Sequence, residues 1–238
     1  MIPNELIQNS PIRILEQSIN GGLKAGEIGI ISSPSGLGKT SVLVQIALDK
    51  LFQGKKIIHV SFTQHTNYVL TWYENIFSEI FGQGNPKNDS FNLLDVKNDI
   101  AKNRVLISLS QDGMATDLIN RSLRAMIVEG GFKAEAVIID GFNFSCAGRS
   151  LIAGIKTLAK ELNISIWYSC NIPEKDGQYN SDNIPLVATE FADLIDVIIK
   201  LEPKHEHIEL SVSKDRNSGN IKTMPILLDP RTLLILGQ

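Results

Sequence analysis

The sequence predicts an α/β domain: a mostly parallel central sheet flanked by helices, with antiparallel strands at the C-terminus. Three observations carry this. Apolar runs of strand length alternate with segments of helical period over the first two thirds of the chain. Some of those runs, such as 136–139, are apolar at every position, as strands covered on both faces are. The last third then changes to short apolar runs with turns and no helical segment between them. With 238 residues, 43% of them hydrophobic, the chain can bury one full core, so 1–238 is read as a single domain.

Taken in order, residues 27–32 read as a buried strand that runs into a glycine-rich turn. A helix follows at once, with Leu43, Ile46, Ala47 and Leu51 on one face and Gly54 as its stop. Residues 56–62 form the second strand, and 68–81 a helix with Leu70, Tyr73, Phe77 and Ile80 on one side. Residues 82–102 open with a polar, irregular run and are read as a surface excursion. A third strand spans 105–109. The next helix carries Ile119, Leu123, Met126 and Ile127 and is stopped by Gly130 and Gly131. The 136–140 strand, fully apolar through Ile139, is central. A helix with Ile152, Ile155, Ala159 and Leu162 leads to a strand at 164–170. Strands at 196–201, 208–213, 224–228 and 233–236 complete the chain as an antiparallel meander.

The net charge of −3 gives no global sign of a nucleic-acid partner, although a local basic channel is compatible with it. No apolar run reaches the ~18 residues of a membrane span, which predicts no membrane insertion. The N-terminus lacks a basic segment followed by an apolar one, so no signal peptide is expected. Cys146 and Cys170 lie far apart in apolar surroundings and read as reduced core residues; a cytoplasmic location is expected. His205 and His207, at i and i+2 in a turn without a third ligand, make weak evidence for a metal.

The turn after the first strand carries the chemistry. Ser33, Pro34, Ser35, Gly36, Leu37, Gly38, Lys39, Thr40 and Ser41 match the pattern G-x-x-x-x-G-K-S/T of a phosphate-binding P-loop, with serine in place of the first glycine. Gly36 and Gly38 let backbone N–H groups turn inward around a phosphate at a helix N-terminus. Lys39 would reach the β- and γ-phosphates, and Thr40 would offer a hydroxyl to Mg²⁺. A Cβ at Ser33 costs on the order of 1 kcal/mol if the backbone there needs a positive φ. Asp140, at the end of a central strand, is the matching metal carboxylate.

The residues before the loop, Ile14 through Gly26 with Asn20-Gly21-Gly22-Leu23 and then Glu27, resemble the lead-in of RecA-superfamily ATPases. The likeness is strongest to the KaiC, RadA and DnaB-helicase branches. Lys214 and Arg216 resemble the Lys-x-Arg of those branches. The resemblance implies a RecA-like P-loop core that binds ATP and Mg²⁺ and works as a homo-oligomeric ring or filament with ATP at the subunit interface. It also implies that Lys214 and Arg216 act in trans on a neighbour's γ-phosphate, and that Cys170 occupies a polar sensor position, with Ser169 or Asn171 as its substitute.

One departure bears on rate. Where the family places a glutamate to activate water, this chain has Thr63 and Gln64. Losing a positioned base removes a factor of about 10²–10⁴. A glutamine can still orient water; His65 is a weaker candidate base, since a lone histidine at a strand end is commonly a surface residue. The sequence therefore predicts tight ATP binding with slow turnover, as an ATP-dependent oligomeric switch or scaffold. Two alternatives stand beside it: a DnaB- or RecA-like DNA motor, and a non-hydrolysing pseudo-ATPase subunit of a larger complex. The 172–187 loop disfavours nucleic acid, with Glu174, Asp176 and Asp182 against Lys175. The 141–150 loop offers only Arg149 as a cation, with Phe142 and Phe144 available to stack on bases or to fill the core.

Overall fold

A computed structural model describes residues 4–82, 92–110, 118–173, 178–216 and 222–237. The described chain builds one nine-stranded sheet in the order β3-β2-β4-β5-β1-β6-β7-β8-β9. Its strands are β1 (Ile28–Ser33), β2 (Ile57–Ser61), β3 (Arg104–Ser108), β4 (Ala136–Asp140), β5 (Ser165–Asn171), β6 (Val197–Pro203), β7 (Ile208–Asp215), β8 (Lys222–Leu228) and β9 (Ile235–Gly237). The first six in spatial order are mutually parallel; β7, β8 and β9 add antiparallel. β6 belongs to both parts, parallel to β1 and antiparallel to β7, so the C-terminal meander extends the same sheet.

Helices α1 (Asn4–Gln8), α2 (Pro11–Ser18), α3 (Lys39–Phe52), α4 (Thr66–Ile80), α5 (Leu93–Asn103), α6 (Leu118–Arg124) and α7 (Arg149–Leu162) divide between the two faces. One core packs α2, α3, α4 and α5 over Ile31, Ile57, Ile138 and Trp167. The other packs α6 and α7 over Ile30, Ile58, Val137 and Ile166. The two-residue period of β1 is visible in this division, because Ile30 and Ile31 serve opposite cores.

The sequence reading is corrected at three places. Residues 92–102 are no surface excursion: Asn92 caps α5 by accepting a bond from the Leu94 N–H at 2.9 Å, and Val96 and Ile100 bury against α3. The polar run at 83–91 lies outside the described residues. The helix ahead of Gly130 loosens into a π-type turn over Ala125–Glu129. The N-terminal helices α1 and α2 were not foreseen; Ser10 caps α2, with Pro11 at its first position.

Gly29 is fixed by a single neighbour. It pairs with Trp167 across β1 and β5, and a Cβ there would lie 2.5 Å from the indole ring. Gly29→Ala is expected to cost about 2 kcal/mol by overpacking. Urea denaturation should show that loss shrinking below about 0.5 kcal/mol when Trp167→Leu makes room, and equal losses in both backgrounds would refute the contact.

Candidate functional site

Parallel register brings four strand ends to one edge. Ser61 lies opposite Asp140, Ile139 opposite Tyr168, and Ser33 opposite Asn171, so the C-terminal ends of β2, β4, β5 and β1 stand in line. Crevices outside such ends are where open α/β sheets bind ligands.

The loop from β1 to α3 opens onto this edge. Gly36 and Gly38 have φ of 81° and 84°, a region that suits glycine. Gly38 is the N-cap of α3 and makes no side-chain cap, which leaves the first N–H groups of the helix unclaimed by a cap. A Cβ at Gly38 would also meet Leu228 at 2.5 Å. Ser33 is the last residue of β1 and is not among the positive-φ residues, so serine there carries no backbone strain.

Lys39 is folded back into the loop. Its Nζ donates to Ser33 O at 2.9 Å, Ser33 Oγ at 3.1 Å, Pro34 O at 2.7 Å and Asn171 Oδ1 at 3.1 Å. Burial pulls its pKa down to about 8, against the opposing pull of Cys170 and Asp140. Ser35 Oγ also donates to Asn171 Oδ1, at 3.0 Å. Next along the helix, Thr40 Oγ1 donates to Asp140 Oδ2 at 2.9 Å. A hydroxyl and a nearly buried carboxylate at that separation make a hard-oxygen pair of the kind divalent cations prefer. Ser41 turns away: it is fully buried and its hydroxyl donates to Leu233 O.

Beside Asp140, the turn after β2 is pinned from both sides. The Gln64 N–H donates to Ser61 Oγ at 3.1 Å, and Ser108 Oγ donates to Gln64 O at 3.1 Å. Thr63 packs on Gly141, where a Cβ would fall 2.5 Å from its methyl group. Gly141 N–H in turn donates to Ser169 Oγ at 2.7 Å. Gln64 Oε1 is a buried acceptor with no hydrogen-bond partner.

Of the three polar-sensor candidates, the structure separates the roles. Asn171 touches Lys39, Ser169 holds the Asp140–Gly141 turn, and Cys170 is buried in the opposite core, its thiol pushed up to about 12 by burial. The sequence signal for Asn171 was its place at a strand end, and that signal set Cys170 ahead of it.

Lys214 and Arg216 are not brought to this edge. β7 runs antiparallel to β6, so its end lies beside the start of β1, roughly 17 Å from Ser33 at 3.3 Å per residue. Arg216 uses all five donors within the chain. Its Nε bonds Glu27 Oε1 at 2.9 Å, Nη2 bonds Glu27 Oε2 at 2.7 Å and Gly22 O at 2.8 Å, and Nη1 bonds Ile19 O at 2.9 Å and Asp215. Lys214 Nζ donates to Ile195 O at 2.6 Å and to Ala192 O. These two cations hold the lead-in and the end of β7 to the sheet.

The nucleic-acid features also find other uses. Phe142 and Phe144 are buried, edge-on to each other and to Tyr168. Arg149 forms a two-pronged pair with Asp193. Glu174, Lys175 and Asp176 lie outside the described residues. Among the described residues, no group of three or more His, Cys, Asp or Glu that could hold a metal occurs, around His205 and His207 or elsewhere. No described helix is long and apolar enough to cross a membrane. No family model matches the chain, and no curated protein matches it.

Arg216→Ala leaves Glu27 without its guanidinium, although the Lys24 N–H still donates to it at 2.8 Å. The two side chains are 22% and 17% exposed, so the cost should be about 2 kcal/mol, below that of a fully buried pair. Urea denaturation should show this loss, while Arg231→Ala, at a side chain 92% exposed, stays within about 0.5 kcal/mol.

Proposed function

We propose that this chain is a RecA-like P-loop protein that binds ATP with Mg²⁺ and hydrolyses it slowly, acting as an ATP-dependent oligomeric switch or scaffold. The observation that carries this reading is the convergence of Lys39, Thr40, Asp140 and Asn171 at one sheet edge, beside a loop with two left-handed glycines at a helix N-terminus. The phosphates of ATP suit this edge because Lys39 and the N–H groups at the start of α3 offer donors to several anionic oxygens at once. Asn171 would pass from Lys39 to the terminal phosphate. Thr40 and Asp140 would hold Mg²⁺, which neutralises phosphate charge when bound.

Slow turnover follows from the end of β2. Thr63 and Gln64 can orient a water through hydroxyl and amide groups, but neither takes its proton at neutral pH. That absence also favours a second reading, a pseudo-ATPase that binds and assembles without hydrolysis. Assembly into a ring or filament with ATP at the interface is part of the proposal on the strength of the resemblance. With Lys214 and Arg216 bonded within the chain, the proposal gives them the fold and assigns them no trans role.

Lys39→Ala is expected to weaken MgATP binding roughly 10–100-fold, the loss of charge-assisted bonds to phosphate. Because free Lys39 titrates near 8 and bound phosphate favours its charged form, wild-type affinity should be flat below about pH 8. Above that it should fall toward about tenfold per pH unit. Calorimetric titration across pH 6.5–9.5 reads both effects; full affinity in Lys39→Ala would refute the site.

Gln64→Glu supplies the missing base and should raise turnover by on the order of 10²-fold. Steady-state hydrolysis measured against protein concentration, with light scattering on the same samples, provides the comparison. A rate per subunit that rises with assembly supports the slow ATPase. Binding and assembly with no turnover in the wild type select the pseudo-ATPase.

A further inference from the structure

We propose that the cavity between α3, α4, α5 and the start of β3 is a second binding site, for a small aryl or branched alkyl carboxylate. The cavity measures about 340 Å³, within the range of small-molecule sites. Leu48, Leu70 and Ile100 give it an apolar wall, and Lys97, Arg104 and Glu74 are its charged residues.

The two cations stand over rings and are otherwise uncommitted. Tyr73 and Phe77 lie one turn apart on α4. The Arg104 guanidinium carbon is 4.3 Å from the centre of the Tyr73 ring, and Lys97 Nζ is 5.3 Å from that of Phe77. Stacking uses the face of a guanidinium and leaves its N–H edge free. Among the described residues, neither cationic group has a hydrogen bond or an ion pair. Arg104 is half-buried, yet none of its side-chain nitrogens is sealed from solvent, so a ligand can reach its donors. Burial pulls the Arg104 pKa below its ordinary value, against the opposing pull of Tyr73 and Glu74. A partly desolvated cation with no acceptor carries a cost that a bound anion relieves.

The class of ligand follows from the charges and from the wall. Two cations against the single carboxylate of Glu74 leave one positive charge unbalanced. That balance suits a singly charged anion better than a phosphate ester, whose further charge would face Glu74. A carboxylate also matches the planar fork of arginine through two parallel N–H···O bonds. The apolar body of the ligand would meet Leu48, Leu70 and Ile100. The site is separate from the loop edge: Arg104 lies opposite Ile57, four residues before Ser61, about 13 Å at 3.3 Å per residue. It does not rest on the nucleotide reading.

The test titrates the full chain with naphthylacetate by saturation-transfer NMR, in parallel with naphthylacetamide, which keeps the outline and lacks the charge, and with naphthyl phosphate. Saturable binding of the carboxylate, roughly tenfold tighter than the amide, is expected, the worth of a charge-assisted bond. Arg104→Gln should lose about that factor, whereas Glu74→Gln should tighten binding about threefold by removing a repelling charge. Ala101→Trp, at an exposed position of the wall, should block binding with the circular dichroism spectrum unchanged, and it carries the test if Arg104→Gln fails to fold. Equal binding of carboxylate and amide would overturn the proposal, as would carboxylate binding that persists undiminished in folded Ala101→Trp. Tighter binding of the phosphate would overturn the choice of a carboxylate. Absence of saturation up to the solubility limit of naphthylacetate would overturn the site itself.

Discussion

Parallel register is the constraint on which the rest of this structure depends. Parallel strands all point the same way, so their C-terminal ends finish at one edge and their N-terminal ends at the other. β5 lies between β1, which feeds the glycine-rich loop, and β4, which ends in Asp140. Asn171 at its tip is therefore placed beside Lys39 by the sheet itself. Thr40 reaches Asp140 because α3 starts where β1 stops. A one-residue slip of β4 against β2 would move Asp140 off the α3 face and dissolve the site.

The opposite edge is built from charge. Asp196 accepts the Ile28 N–H at 2.7 Å and pairs with Lys156. Arg216 sits alongside with its five bonds to Glu27, Asp215 and two carbonyls of the lead-in. This edge fixes where β1 begins, and the length of β1 then fixes where the loop sits. A pair of cations that reads in sequence as chemistry is, in this fold, what anchors the chain segment leading into the loop.

Much of this was legible in the sequence, for identifiable reasons. β4 and α3 declared themselves because burial on both faces, and a glycine stop at Gly54, leave a clear pattern. Gly36, Gly38, Lys39, Thr40 and Asp140 were readable because their spacing carries its own mechanism. α5 was missed because its signal is two buried residues, Val96 and Ile100, behind a polar run. The bonds of Ser41 and Gln45 to Leu233 and Ile235 were not legible, since they join positions some 190 residues apart. The intrachain bonds of Arg216 were not legible for a related reason. Sequence shows that a guanidinium is present but not which carbonyls a distant turn will aim at it.

The inward fold of Lys39 sets a threshold for whatever enters the loop. An incoming anion must replace four oxygen acceptors around one ammonium. A compact anion with three or four oxygens has few left over for the backbone donors of the loop once it has met the ammonium. A chain of linked phosphates offers many, tethered to one another, so each contact made raises the local concentration of the next. On the proposed reading, the cost of drawing Lys39 out of these bonds favours a chain of linked phosphates over a compact anion.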